Sequence, residues 1–211
     1  MKHKKIIKIN DFKYLQGQIN KQHVVLAQSG MGIANISLTT SRMIQDMKPK
    51  QLYLLGSSGA MSPDMKKGMV VLGKKVTNVD FGQLTEKGMV FPFKNLMKNP
   101  QNNKQQLLTF NASISINKQL SQNIYWGHIA TSEMLPNSPE QSLLLKKSGY
   151  DVVEMEGAGF MQMCWFYEKP CLVIRGVSNN TAEAITMKDV RMAAEAAFKT
   201  FCQIISEPPS S

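Results

Sequence analysis

The stretch Val152-Val153-Glu154-Met155-Glu156-Gly157-Ala158 decides how this chain reads, and Leu172-Val173-Ile174-Arg175-Gly176-Val177-Ser178-Asn179 follows one helix-length later. Each begins as a short apolar run and breaks off into polar residues. A strand buried on both faces has that pattern, and open α/β sheets bind their ligands at the carboxyl ends of such strands. The spacing predicts strands over Val152–Met155 and Cys171–Gly176 with a helix over Gly157–Tyr167 between them. Together they form a βαβ unit whose crossover is expected to be right-handed. The pair points to a ligand pocket.

Outward from this unit, the pattern continues in both directions. Lys5–Lys8, Tyr14–Ile19 and His23–Ala27 read as early strands. Ser29-Gly30-Met31-Gly32 turns into a helix over about Ile33–Met47, stopped before Pro49. Leu52–Leu55 is a short buried strand ending in the turn Gly56-Ser57-Ser58-Gly59, and Met69–Val79 is another strand, leading to a polar loop around Asp80. Phe91–Asn103 reads as a loop or lid, with a helix over about Lys104–Ile116. Ile124–Ala130 is a strand leading into Thr131-Ser132-Glu133-Met134-Leu135-Pro136, and Pro139–Ser148 a helix. An amphipathic helix over about Lys188–Ile205 closes the chain, with Val190, Ala194, Ala197, Phe198 and Phe201 on one face. Residues 206–211 read as a frayed tail.

A chain of 211 residues can bury a core as one domain, and residues 1–211 are read so. The net charge of +10 comes mostly from scattered lysines, because Arg42, Arg175 and Arg191 are the only arginines. A nucleic-acid reader concentrates arginine and aromatic side chains on one face, so that class is set aside. Cys164, Cys171 and Cys202 are odd in number and lie in apolar surroundings, which reads as free thiols in a reducing cytoplasm. No run approaches membrane-spanning length, and no membrane partner is expected.

Four segments in this order resemble the purine nucleoside phosphorylase and nucleosidase superfamily. They are Ser29-Gly30-Met31-Gly32, Gly56-Ser57-Ser58-Gly59, Val153-Glu154-Met155-Glu156-Gly157 and Ile174-Arg175-Gly176-Val177-Ser178-Asn179. The nearer likeness is to 5'-methylthioadenosine/S-adenosylhomocysteine nucleosidases and futalosine hydrolases, over roughly residues 12 to 205. The resemblance implies an α/β fold, a three-layer α/β/α sandwich around a mixed, mostly parallel twisted sheet. It also implies a homo-oligomer, a dimer being favoured, and a purine nucleoside substrate with no metal or other cofactor.

The reaction implied is hydrolysis of the N-glycosidic bond, in which the ribose becomes an oxocarbenium-like cation. Glu156 matches the family carboxylate set against the 2'-hydroxyl to stabilise that charge. Read by itself, Glu156 complements the dipole of the helix it precedes. Met155 matches the residue beneath sugar and base, Ser57 a position lining the pocket, and Met31 one near the 5' substituent. Ser57 alone reads as a small turn residue, and Met31 as core filling. Leu135 stands where relatives place an aromatic that stacks on the purine, which keeps apolar contact and loses stacking. Arg175 ends a buried strand. An ion pair with Glu154 or Glu156 and a direct role in binding are both open to it.

Three departures follow. Relatives acting on adenine nucleosides carry Asp where this chain has Asn179, and an amide donates a hydrogen bond but delivers no proton. The leaving base of futalosine hydrolases, which share Ser-Asn here, is a 6-oxopurine, whose N7 or O6 an amide can serve. The family's first strand, with its water-activating carboxylate, has no counterpart ahead of Phe12, where Asp11 is the sole acid. The arginine of phosphorylase phosphate sites is replaced by Leu54, which disfavours phosphorolysis. A nucleoside-binding relative without catalysis is the alternative to a nucleosidase, and a phosphorylase comes third.

Overall fold

The computed structural model describes residues 1–92, 108–114, 116, 123–134, 136, 138–181 and 183–206. Its strands are β1 (Lys2–Ile9), β2 (Phe12–Ile19), β3 (Gln22–Leu26), β4 (Leu52–Ala60), β5 (Val70–Asn78), β6 (Gln83–Thr85), β7 (Gly88–Val90), β8 (Thr109–Asn111), β9 (Ile124–Thr131), β10 (Val152–Glu154) and β11 (Cys171–Asn180). The helices are α1 (Ile33–Met47), α2 (Pro139–Lys147), α3 (Gly157–Phe166) and α4 (Met187–Ile204).

The fold is mixed α/β. Six strands form the main sheet in the order β11-β4-β10-β9-β5-β8, and β5 also pairs with β11. The long ladders β4–β11 and β5–β9 are parallel, as is β9–β10; β4–β10, β5–β11 and β5–β8 are antiparallel. Alternate residues feed two cores, as the two-residue period of a strand requires. Leu52, Leu54, Val71 and Val173 face a cluster with Ile36 and Ile44 of α1 and with Phe160, Met161 and Cys164 of α3. Tyr53, Leu55, Leu72, Leu172 and Ile174 face the other, with Ala197 and Phe201 of α4 and Ile19 and Val24 of β2 and β3. Gly176 lets α4 lie directly on the sheet, because a Cβ there would run into the Ala193 backbone.

Local chemistry explains the ends of these elements. Gly32 precedes α1 at φ 89°, a conformation that favours glycine, and Lys48 closes it in the left-handed region before Pro49. Ser138 caps α2, accepting from Gln141 N at 3.3 Å with Pro139 following, and Thr186 caps α4 through Asp189 N at 3.2 Å. Tyr14 of the small antiparallel sheet β1-β2-β3 donates to Asp46 of α1 at 2.7 Å.

Several expectations need correction. Val152–Glu154 and Cys171–Asn180 are not adjacent: β4 lies between them, antiparallel to β10 and parallel to β11, so the expected βαβ crossover is not formed. Strand β10 ends one residue short of the expected Met155, whereas β4 and β11 both run further than read. Gly56–Ala60 continues β4 and Val177–Asn180 continues β11, because each supplies the other's backbone partners. Ser57 therefore sits within a strand. Thr109–Asn111 is a strand on the edge of β5, not part of a helix, held by buried Phe110 and by Thr109–Thr77 at 2.8 Å. Residues 108, 112–114 and 116 of that expected helix are not helical either, whereas 104–107 and 115, like most of the Phe91–Asn103 loop, lie outside the described residues. On α4 the buried stripe is Ala193, Ala197, Thr200 and Phe201, whereas Phe198 is exposed. Cys164, Cys171 and Cys202 are free thiols, the last only half-buried. Among the described residues no helix is long and apolar enough to cross a membrane.

Candidate active site

The carboxyl end of β10 carries Glu154 and Glu156, and the two do different work. Glu154 is 3% exposed, and its carboxylate receives Gly157 N at 2.8 and 2.9 Å, Glu156 N at 3.0 Å and Thr131 Oγ1 at 2.5 Å. Thr131 Oγ1 in turn accepts Ala158 N at 2.8 Å. The first free amides of α3, which every helix must satisfy, are thus taken by Glu154 and Thr131. Glu156 occupies the N-cap position of α3 yet makes no side-chain cap bond there. Its carboxylate turns away, accepting Gly32 N at 2.9 Å through Oε1 and Arg175 Nη2 at 3.1 Å through Oε2.

Arg175 is 3% exposed and its Nη2 bridges Glu154 and Glu156. Gly56, its register partner on β4, leaves room for the guanidinium, into which a Cβ would run. Two carboxylates around one guanidinium leave a net negative charge, and the positive end of α1 faces it through the Gly32 amide. Each Glu156 oxygen keeps a free lone pair, since a carboxylate offers about four acceptor sites.

The next amide of α1, Ile33 N, donates to Glu133 Oε1 at 2.9 Å. Glu133 follows β9, and its backbone N–H is held at 3.0 Å by Asp80 Oδ2, while Asp80 Oδ1 takes Ser132 Oγ at 2.6 Å. A Cβ on Gly32 would lie 2.8 Å from Glu133 Oε1, the movable end of an exposed side chain, so it is the positive φ that calls for glycine there.

The end of β11 is arranged otherwise. A register irregularity between Val177 and Asn179 places Asn179 opposite Gly59. Its Nδ2 donates to Asn180 O at 2.8 Å and Glu183 O at 3.3 Å, and its Oδ1 accepts Ser178 Oγ at 2.8 Å. Ser57 is half-buried opposite Gly176, next to the Arg175–Gly56 pair. Met155 is half-buried between the two glutamates, and Met31 is 71% exposed, which removes the core-filling reading. Leu135 lies outside the described residues. Beyond Asn179, a cavity of about 670 Å³ is lined by Met61, Met65, Lys66, Lys146, Asn180 and Glu183 among others.

The structure therefore brings Glu156, Arg175 and the turn bearing Met31 together, with Ser57 close by register, and leaves Asn179 bonded within its own loop. Sequence reasoning passes over Glu133 and Thr131, although they close the apolar run of β9 just as Glu154 and Asn179 close theirs. The model of the phosphorylase superfamily matches residues 2–207. The chain belongs to that superfamily. A 5'-methylthioadenosine/S-adenosylhomocysteine nucleosidase of Haemophilus ducreyi is 27% identical over 176 residues, 82% of this chain and 75% of its own. The S-adenosylhomocysteine nucleosidase of Streptococcus pyogenes, solved with 5-methylthiotubericidin, superimposes with a TM-score of 0.82 at 21% identity, covering 99% of this chain and 89% of its own. The futalosine hydrolase of Helicobacter pylori does so at 0.72 and 20%, covering 95% and 88%. These superfamily relatives are nucleosidases and hydrolases by name, and the structural likenesses establish the shared fold.

Proposed function

We propose that this chain is a nucleosidase that hydrolyses the N-glycosidic bond of a purine nucleoside or of a 5'-modified relative. The observation that carries this reading is that the Glu156 carboxylate is released from capping its own helix. Glu154 and Thr131 satisfy those amides, and Glu156 is held ready between the Gly32 amide and Arg175. A carboxylate fixed in advance, with lone pairs to spare, suits the 2'-hydroxyl of a ribosyl cation and needs little rearrangement as charge develops. Met155 and Ser57 flank the sugar, Met31 lies towards its 5' side, and Asn179 serves the departing base. Leu135 takes the apolar side of that base. Leu54 packs into the core, where a phosphorylase would need a cation, so water is the favoured acceptor.

The same reading includes a three-layer α/β/α arrangement, supported by helices facing both cores of the sheet. It includes a homodimer acting in the cytoplasm, supported by the three free thiols and by exposed Met31 and Met134. Incubation with inosine, 5'-methylthioadenosine, S-adenosylhomocysteine and futalosine, followed by assay of free base, tests the activity. Release from at least one without phosphate is the expected result. A second reading, binding without turnover, draws on Asn179, whose amide is spent inside its loop. Calorimetric binding of a nucleoside with no base released would favour it.

A further inference from the structure

We propose that Glu133 is the carboxylate that takes the proton from the attacking water, an inference that rests on the nucleosidase reading. When water is the attacking nucleophile, a carboxylate acting as general base takes its proton as it joins C1'. Glu133 and Glu156 bind consecutive amides at one end of α1, Ile33 N and Gly32 N, each at 2.9 Å. Bonded to neighbouring backbone nitrogens, the two carboxylates sit side by side at the N-terminus of α1. Their environments divide the labour: Glu156 is bound to Arg175, whereas Glu133 is exposed, and among the described residues only its Oε1 carries a bond. The backbone under Glu133 is fixed by Asp80, and the carboxylate lies over a glycine that leaves it room. It is therefore a positioned acceptor with an oxygen to spare and access to solvent for returning the proton.

The step balances without a co-reactant. The C1'–N9 bond breaks with its electron pair going to the base, and a water oxygen forms the new bond to C1'. One water proton passes to the Glu133 carboxylate and from there to bulk water, and the base takes its proton from solvent.

Glu133→Gln is the test, because the amide oxygen still accepts Ile33 N while the side chain no longer takes a proton. The expected result is a kcat lowered by about 10²–10⁴-fold with little change in KM. The acid limb of the pH–rate profile, set by protonating the base, should vanish. Azide, a nucleophile that needs no deprotonation, should restore base release in the variant and yield the ribosyl azide. Glu133→Gln with wild-type kcat and an unchanged acid limb overturns the proposal while leaving the nucleosidase reading intact. A large loss that azide does not rescue, with the acid limb retained, assigns Glu133 to holding α1 and also overturns it. If the wild-type chain releases no base from any substrate, both readings fall together.

Discussion

At the end of β10, two glutamates gather a buried arginine, a threonine and the N-terminal amides of two helices into one network. At the end of β11, Asn179 spends its amide on the carbonyls of its own loop. The first arrangement is formed without a ligand, and in the second both amide protons of Asn179 are already bonded. On the proposed reading, the half assigned to the sugar is thus preorganised, whereas the half assigned to the base would have to exchange those bonds. Preorganisation is where electrostatic catalysis draws most of its advantage, so the two ends should respond to mutation very differently.

The sharpest way to break this contrast is Arg175→Met. It leaves the carboxylates of buried Glu154 and half-buried Glu156 facing each other with no cation between them, and removing one partner of a buried ion pair costs about 3–5 kcal/mol. Urea denaturation should show the midpoint falling accordingly. A variant as stable as the wild type would mean that charge does not hold the β10 end together.

Where sequence reading succeeds, it uses signals that are local. The helix over Ile33–Met47 is bounded by Gly32 and Pro49, and its limits match the structure. Glu156 and Arg175 stand out because polar residues end apolar runs, whereas Met31 is singled out only by the family resemblance. What escapes is whatever depends on the partner across the sheet. Gly56–Ala60 and Val177–Asn180 look like turns rich in Gly, Ser and Asn, yet each is a strand because the other pairs with it. Thr109–Asn111 is too short for any periodicity to show. Glu133 is invisible for the same reason: its meaning lies in the Ile33 amide, 100 residues away in the chain.

A smaller effect comes from comparing one functional group at each end. Glu156→Gln should leave folding intact and lower kcat by about 10²–10³-fold, the usual cost of losing one preorganised electrostatic contact. Asn179→Ala should cost about 1 kcal/mol of stability for its loop hydrogen bonds and lower kcat less than tenfold. Steady-state kinetics on the same substrate decide the matter. Equal losses in kcat would show that the β11 loop turns over on binding and that the base half contributes to the transition state as strongly as the sugar half.

The smallest effect probes the frame behind β10. His128 of β9 donates its backbone N–H to Asp151 Oδ2 at 2.8 Å, and its Nε2 lies 2.8 Å from Thr77 Oγ1 beside the Tyr150 ring. Burial, and secondly the charge of Lys75, lower its imidazole below the ordinary histidine range. The unfolded chain therefore takes up a proton at a higher pH than the folded one does. The fold keeps its full stability above the unfolded value of about 6.5 and loses some as pH falls through it towards the folded value, below which the loss levels off. His128→Gln retains a polar partner for Thr77 and removes the titration. Between about pH 7.5 and 5.5 the Tm of the wild type should decline more than that of the variant. Parallel curves would mean that this imidazole is as well solvated in the fold as in the open chain, and that the preorganised end of the sheet owes nothing to a dry polar frame.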